Sequence, residues 1–219
     1  HKTSLLKEFF HLSLPLSANR ICLTLLQSIE AILIPGQMMF YYCDRTLSLE
    51  LYGILTGITL PFLFFPSTLT NSLATMLLPA VAADFKQQDY AHLNRTISFA
   101  TYTCFFLGLF FLGFFFLCGP AMGSLLFHNA VAGQYLKVLS FLCPALYLSA
   151  IFTSILNGMG KTNRTFFHNI LSIFTRLFFI FLFVPRFGIN GYIWGILVST
   201  FLLVFFNYLF IQKMVRNQN

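Results

Sequence analysis

Charge is scarce in this chain, and acidic charge scarcest. Six Asp and Glu stand against thirteen Lys and Arg, and charged residues make up 9% of the 219 positions. That is about a third of the share usual in a soluble domain. The five cysteines (Cys22, Cys43, Cys104, Cys118, Cys143) form no CxxC pair and are odd in number. This sets aside a disulfide framework or a cysteine metal site and points to packing. No GxSxG nucleophile motif occurs. Asp44, Glu50 and His128 fall in loops with no spacing for a general acid–base pair or a metal site. His128 reads as an ordinary interfacial residue, and His11, His92 and His168 as isolated ones near the opposite boundary. The expectation is a protein that is not an enzyme, with no cofactor and no metal.

Apolar residues fill the space that charge leaves. They account for 58% of the sequence, thirty of them phenylalanine, and the mean hydropathy is +0.79. A soluble core of this length cannot bury so much apolar surface. A membrane helix needs about 20 apolar residues, and six such spans can be drawn: Leu12–Ile34, Glu50–Ser72, Thr96–Cys118, Tyr135–Leu156, Phe166–Val184 and Gly191–Ile211. The fold class expected is therefore an all-α polytopic membrane protein with six transmembrane helices. The second span is awkward, because apolar character runs on from Glu50 to Ala83 and carries Pro61, Pro66 and Pro79. A kinked span with a helical extension near one membrane surface is expected there. The chain starts at His1 and enters an apolar segment at once, which reads as a start inside a longer protein.

The net charge of +7 is not a nucleic-acid signal, because it sits at the ends of apolar segments. If the spans alternate, one side carries Lys2, Lys7, Lys86, Arg95, Lys161, Arg164, Lys213 and Arg216, and the other only Arg45, Lys137 and Arg186. This positive-inside bias predicts both termini of the segment in the cytoplasm and an even number of spans.

Charged residues inside the spans are the main functional signal. Such a residue at a helix centre costs about 2.5–3.5 kcal/mol on the lenient insertion scale, so it normally faces a cavity or a partner. In the first span Arg20, Gln27 and Glu30 are seven and three apart and share a stripe. They form either a hydrophilic wall, with Arg20 its positive site, or two residues snorkelling to opposite interfaces. In the fifth span Thr165, Asn169, Ser172 and Arg176 recur at four, three and four. Arg176 is too deep to snorkel easily, so it lines a cavity or pairs with Glu30 on another helix. The hydroxyl- and amide-rich patch after Pro66 suits repair of a proline kink as well as substrate contact. Gly53–Gly57 and Gly191–Gly195 match the GxxxG packing pattern. The Asn157–Thr162 turn lacks the first glycine of a phosphate loop and follows a membrane helix, so a cytoplasmic hinge is expected.

Residues Leu14–Arg20, Gln27–Pro35, Leu51–Gly57 and Thr70–Pro79, with Cys143–Tyr147, Ser154–Thr162, Arg176 and Phe187–Gly195, resemble in combination the stage V sporulation protein B group of polysaccharide-biosynthesis membrane proteins. That group is similar to the multidrug, oligosaccharidyl-lipid and polysaccharide exporter superfamily, whose members resemble two six-helix lobes around a central cavity. The resemblance covers most of the chain. It implies alternating access, a spore-forming or related Gram-positive source, and a role in envelope or spore-cortex glycan assembly. It also implies that residues 1–219 are the C-terminal lobe, which could not transport without the N-terminal lobe.

The reading expected is thus one lobe of a flippase in the bacterial cytoplasmic membrane. Its partners would be a lipid-linked oligosaccharide or peptidoglycan precursor, membrane lipids and the missing lobe, and not nucleic acid. Arg20, Gln27, Glu30, Asn169, Ser172 and Arg176 would line the substrate cavity, with the arginines meeting anionic groups through their planar donor fork. Glu30 would be the carboxylate available for coupling to an ion. Two other readings stand beside it: a cation-coupled multidrug exporter of the same architecture, and a membrane scaffold without transport whose polar stripes pack against neighbouring helices.

Overall fold

Long apolar stretches interrupted only by Asx-containing turns and prolines should give long helices with abrupt corners, and they do. The computed structural model describes the backbone of residues 2–216, with the side chains of residue 21 and residues 23–216. The described residues contain helices and no strand. In chain order the helices are α1 (Lys2–Tyr42), α2 (Arg45–Ile54), a π-helical turn (Leu55–Thr59), α3 (Leu60–Phe64), α4 (Ser67–Gln87) and α5 (Tyr90–Leu125). They continue as α6 (Ala130–Leu139), α7 (Leu142–Gly158), α8 (Thr162–Leu182), the short α9 (Val184–Phe187) and α10 (Ile189–Arg216). Five of these stretches are long and apolar enough to cross a membrane, or six if the bent pair α6 and α7 is one span. The protein is a multi-pass membrane protein.

Three corners share one design. Cys43, Gln88 and His128 take positive φ values of 54°, 60° and 49°, and each precedes the Asx residue that caps the next helix. Asp44 accepts from the Thr46 and Leu47 amides at 2.7 and 3.3 Å. Asp89 accepts from the His92 amide at 3.0 Å, and Asn129 from Val131 and Ala132 at 2.9 and 3.1 Å. An N-cap side chain of this kind is worth about 1 kcal/mol. Two of the chain's few acidic groups are therefore committed to turns.

The expected second span, Glu50–Ser72, is shifted: the candidate span is Arg45–Phe64, and the helix restarts after Pro66. Pro61 follows the π-helical turn, and proline has no amide to donate. The hydroxyls downstream bond main-chain carbonyls, Ser67 to Phe64 at 2.6 Å and Thr68 to Phe65 at 2.8 Å. Of the two roles open to this patch, kink repair is the one the geometry displays. The expected fourth span, Tyr135–Leu156, is bent by 54° between α6 and α7. Pro144 leaves the Ser140 carbonyl without its helical donor, and the Cys143 amide takes it at 3.0 Å.

Helix α7 is the hub, with ten buried residues and neighbours α4, α5, α8 and α10. Helix α5 approaches α6 and α7 closely through glycine. A Cβ at Gly108 would lie 2.5 Å from Pro144 Cα, and one at Gly123 would overlap the Gly133 backbone. Of the GxxxG patterns Gly53–Gly57 and Gly191–Gly195, the second makes such contacts, against Phe183 and Phe179, whereas Gly53 and Gly57 face open space. Helix α1 lies at an edge, touching α2, α8 and α9.

Candidate functional site

Helix α8 turns a polar stripe inward because its remaining surface is phenylalanine, leucine and isoleucine. The stripe meets α10 along its length. His168 Nδ1 and Asn207 Oδ1 are 2.7 Å apart in a buried pair, with the His168 ring stacked on Phe206 at 5.8 Å. One turn on, the Ser172 hydroxyl donates to the Ser199 carbonyl at 2.9 Å, also buried. Thr165 is buried too, and its hydroxyl has no hydrogen-bond partner. His168, which looked isolated in sequence, is thus a packed interhelical residue. Ser172 meets α10, while Asn169, one residue away from that face in projection, is half-buried.

At Arg176 the stripe reaches α1. Arg176 Nε lies 3.3 Å from Glu30 Oε1, and the side chains are 23% and 5% exposed respectively. The carboxylate is therefore enclosed and the guanidinium is the reachable member. The two atoms are close enough for charge pairing but are not aligned as a hydrogen bond, so Glu30 Oε1 and Arg176 Nε retain polar capacity. Tyr192 on α10 is buried and within electrostatic range of both. Its ring sits 6.3 Å from that of Tyr52 on α2. Glu30, Tyr52, Arg176 and Tyr192 thus bring α1, α2, α8 and α10 to one point. Taking two charges out of water costs several kcal/mol each, so such a pair persists only with good compensation. The phenols and the partial exposure of Arg176 supply some of it.

Of the other expected site residues, Gln27 is exposed one turn from Glu30 on the open side of α1. The side chain of Arg20 lies outside the described residues. The structure thus joins Glu30 to Arg176, sets Gln27 beside them, and places Ser172 in the α8–α10 contact. Sequence reasoning missed Tyr52, Tyr192, Ser199 and Asn207. Asn207 was the most legible of these, as a lone amide within an apolar run. Among the described residues no group of three or more His, Cys, Asp or Glu could hold a metal ion.

No family model matches the chain, and no solved structure matches it. Two curated proteins of Bacillus subtilis do. Sporulation protein YkvU is 22% identical over 213 residues, covering 96% of this chain and 48% of its own length. Stage V sporulation protein B is 20% identical over 186 residues, covering 84% of this chain and 36% of its own length. The chain therefore spans about half the length, or less, of the curated relatives it matches. The all-helical membrane architecture is thus accompanied by weak sequence similarity to sporulation protein YkvU and stage V sporulation protein B.

Proposed function

We propose that this chain forms one lobe of a membrane exporter or flippase that moves a lipid-linked cell-wall or polysaccharide precursor across the bacterial cytoplasmic membrane. A second lobe completes the path. The observation that carries the reading is the Arg176–Glu30 pair: two charges inside membrane helices, the arginine partly exposed, with polar capacity unspent on both. A pair serving packing alone gains from full alignment, whereas a transport site benefits from a donor fork that can turn to an anionic group. Arg176 and Arg20 would receive the phosphate-rich part of the substrate. Gln27 and Asn169 would meet its polar remainder, and Ser172 would hold the wall from behind. Glu30 would set the charge balance and serve as the carboxylate for ion coupling.

A scaffold without transport is the second reading. The contacts of Ser172 with Ser199 and of His168 with Asn207 favour it, because they show the α8 stripe packing against a neighbour. The multidrug exporter reading suits cationic substrates and fits two arginines and one glutamate poorly.

The test uses the complete gene with Arg20→Ala, Arg176→Ala and Glu30→Gln introduced singly. Appearance of lipid-linked precursor in the outer leaflet is scored at matched membrane levels. Loss of translocation is expected for Arg176→Ala, with an altered ion dependence for Glu30→Gln. Full translocation in all three sinks the site and favours the scaffold.

A further inference from the structure

A cavity of about 490 Å³ opens where the first turns of α5 and the last turns of α10 meet beside α7. Its one charged residue, Arg216, lies at the helix ends. The helix ends contribute Asn94, Gln212 and Arg216 together with Val215. The deeper wall is made by Tyr102, Phe152 and Tyr208 with the Thr101 hydroxyl. On the deeper wall, the Tyr208 ring packs 5.8 Å from Phe152 and its oxygen accepts from the Gln212 amide. The Tyr208 O–H is left to donate elsewhere, and the half-buried Ser98 lies on the facing wall.

The charge in this cavity has one sign. No carboxylate is among its lining residues. The acidic groups on the adjoining corner are engaged, Asp84 with His92 at 2.8 Å and Asp89 as the cap of α5. The ion pairs among the described residues, His92–Asp84 and Arg176–Glu30, leave Arg216 out.

We propose that this cavity binds the headgroup of an anionic phospholipid. The phosphate meets Arg216 with the amides of Asn94 and Gln212, and an acyl chain runs over Ile97, Phe152 and Ile211. A single basic residue at the mouth above a largely aromatic interior matches an amphiphile lying at the membrane interface. Basic pockets between membrane helices are suited to anionic headgroups. A zwitterionic headgroup brings a cation that finds no carboxylate in the lining. The site is remote from the Arg176–Glu30 pair in sequence and needs only that the lobe spans a membrane, so it stands apart from the transport reading.

The experiment is native mass spectrometry of the full-length protein in detergent, titrated with phosphatidylglycerol or phosphatidylcholine at equal acyl composition. The wild type is expected to retain phosphatidylglycerol preferentially. Arg216→Gln should lower that preference about fivefold, the effect expected of one basic residue at a membrane surface. Arg186→Gln, which removes an exposed arginine from α9, should leave it unchanged. Ser98→Phe, which fills the cavity, should reduce retention of lipid while the protein keeps its melting temperature. Equal retention of both lipids by the wild type overturns the proposal. So does an Arg216→Gln protein that behaves as wild type, or an Arg186→Gln protein that loses as much. Glycerol phosphate is not expected to displace the lipid, and full displacement by it reassigns the cavity to a soluble phosphate and overturns the lipid.

Discussion

Arg176 and Glu30 meet at 3.3 Å across the contact of α8 with α1, with the carboxylate enclosed and the guanidinium partly open. Their unequal exposure makes the pair asymmetric. Removing the arginine strands a buried anion, and removing the glutamate leaves a cation that is already partly exposed.

Arg176→Gln is therefore expected to destabilise more than Glu30→Gln. Loss of one partner of a buried pair costs about 3–5 kcal/mol, and Arg176→Gln should approach that range while Glu30→Gln falls below it. The double variant should recover part of the loss, since it leaves no unpaired charge. Thermal unfolding of the purified protein in one detergent measures all three. A double variant as unstable as the sum of the singles would show that the two side chains act separately. The same double variant also divides the functional readings: a transport site loses translocation even when stability returns, and a scaffold keeps its role.

The class of fold was legible because hydropathy and charge scarcity act over whole helices, and few competing forces operate in lipid. The polar stripes were legible for the same reason, as interruptions at helical spacing. Which neighbour each stripe meets was not. Thr165, Ser172 and Arg176 share one face of α8, but that face looks at α10 near Ser172 and at α1 near Arg176. Only the packing of α10 and α1 decides this. The caps at the corners went unread for a different reason: placing Asp44 in a loop and His128 at an interface does not reveal the cap that each corner forms. Their roles depend on the left-handed backbone just before each cap, which leaves no residue signature when Cys, Gln and His occupy it.

Glycine packing separates motif from contact. Gly119 and Gly123 also match GxxxG and face Gly133 on α6, whereas Gly53 and Gly57 face open space. Gly123→Ala should cost about 1–3 kcal/mol through overpacking. Gly53→Ala and Gly57→Ala should be neutral or slightly stabilising, because alanine is the better helix former. Melting temperatures measured side by side decide it, and equal losses at Gly53 and Gly123 would discredit the α5–α6 contact.

The buried His168–Asn207 pair predicts a specific non-additivity. Asn207→Leu leaves the His168 nitrogen without its 2.7 Å partner, and interhelical polar contacts in membrane proteins are worth about 0.6–1.7 kcal/mol. His168→Phe should leave the Asn207 amide equally unmatched. The double variant places two apolar side chains in contact and should lie closer to wild type than either single. A double-mutant cycle by chemical or thermal unfolding gives the coupling energy directly, and additive losses would mean that the pair contributes nothing.

Orientation is open to test through a residue already in place. Cys43 is exposed at the corner between α1 and α2, while Cys104 and Cys143 are buried and Cys118 is half-buried. The distribution of lysine and arginine predicts that this corner lies on the side with few basic residues, opposite Lys161 and Arg164, and outside the cytoplasm. The full-length protein, with its other cysteines changed to serine or alanine, should react at Cys43 with a membrane-impermeant maleimide in intact cells. With Cys43 also replaced and Lys161→Cys introduced, labelling should require permeabilisation. Reversed accessibility would invert the lobe and place Arg216 and the α5–α10 cavity at the outer surface. Labelling at both positions in intact cells would mean that the two corners lie on one side, which an odd number of crossings between them cannot give. Because Cys43 and Lys161 bracket α2 through α7, the outcome also decides whether the bent pair α6 and α7 crosses the membrane. One crossing through α2 and α3, one through α5 and one through that pair place the two corners on opposite sides, and removing the last returns them to the same side.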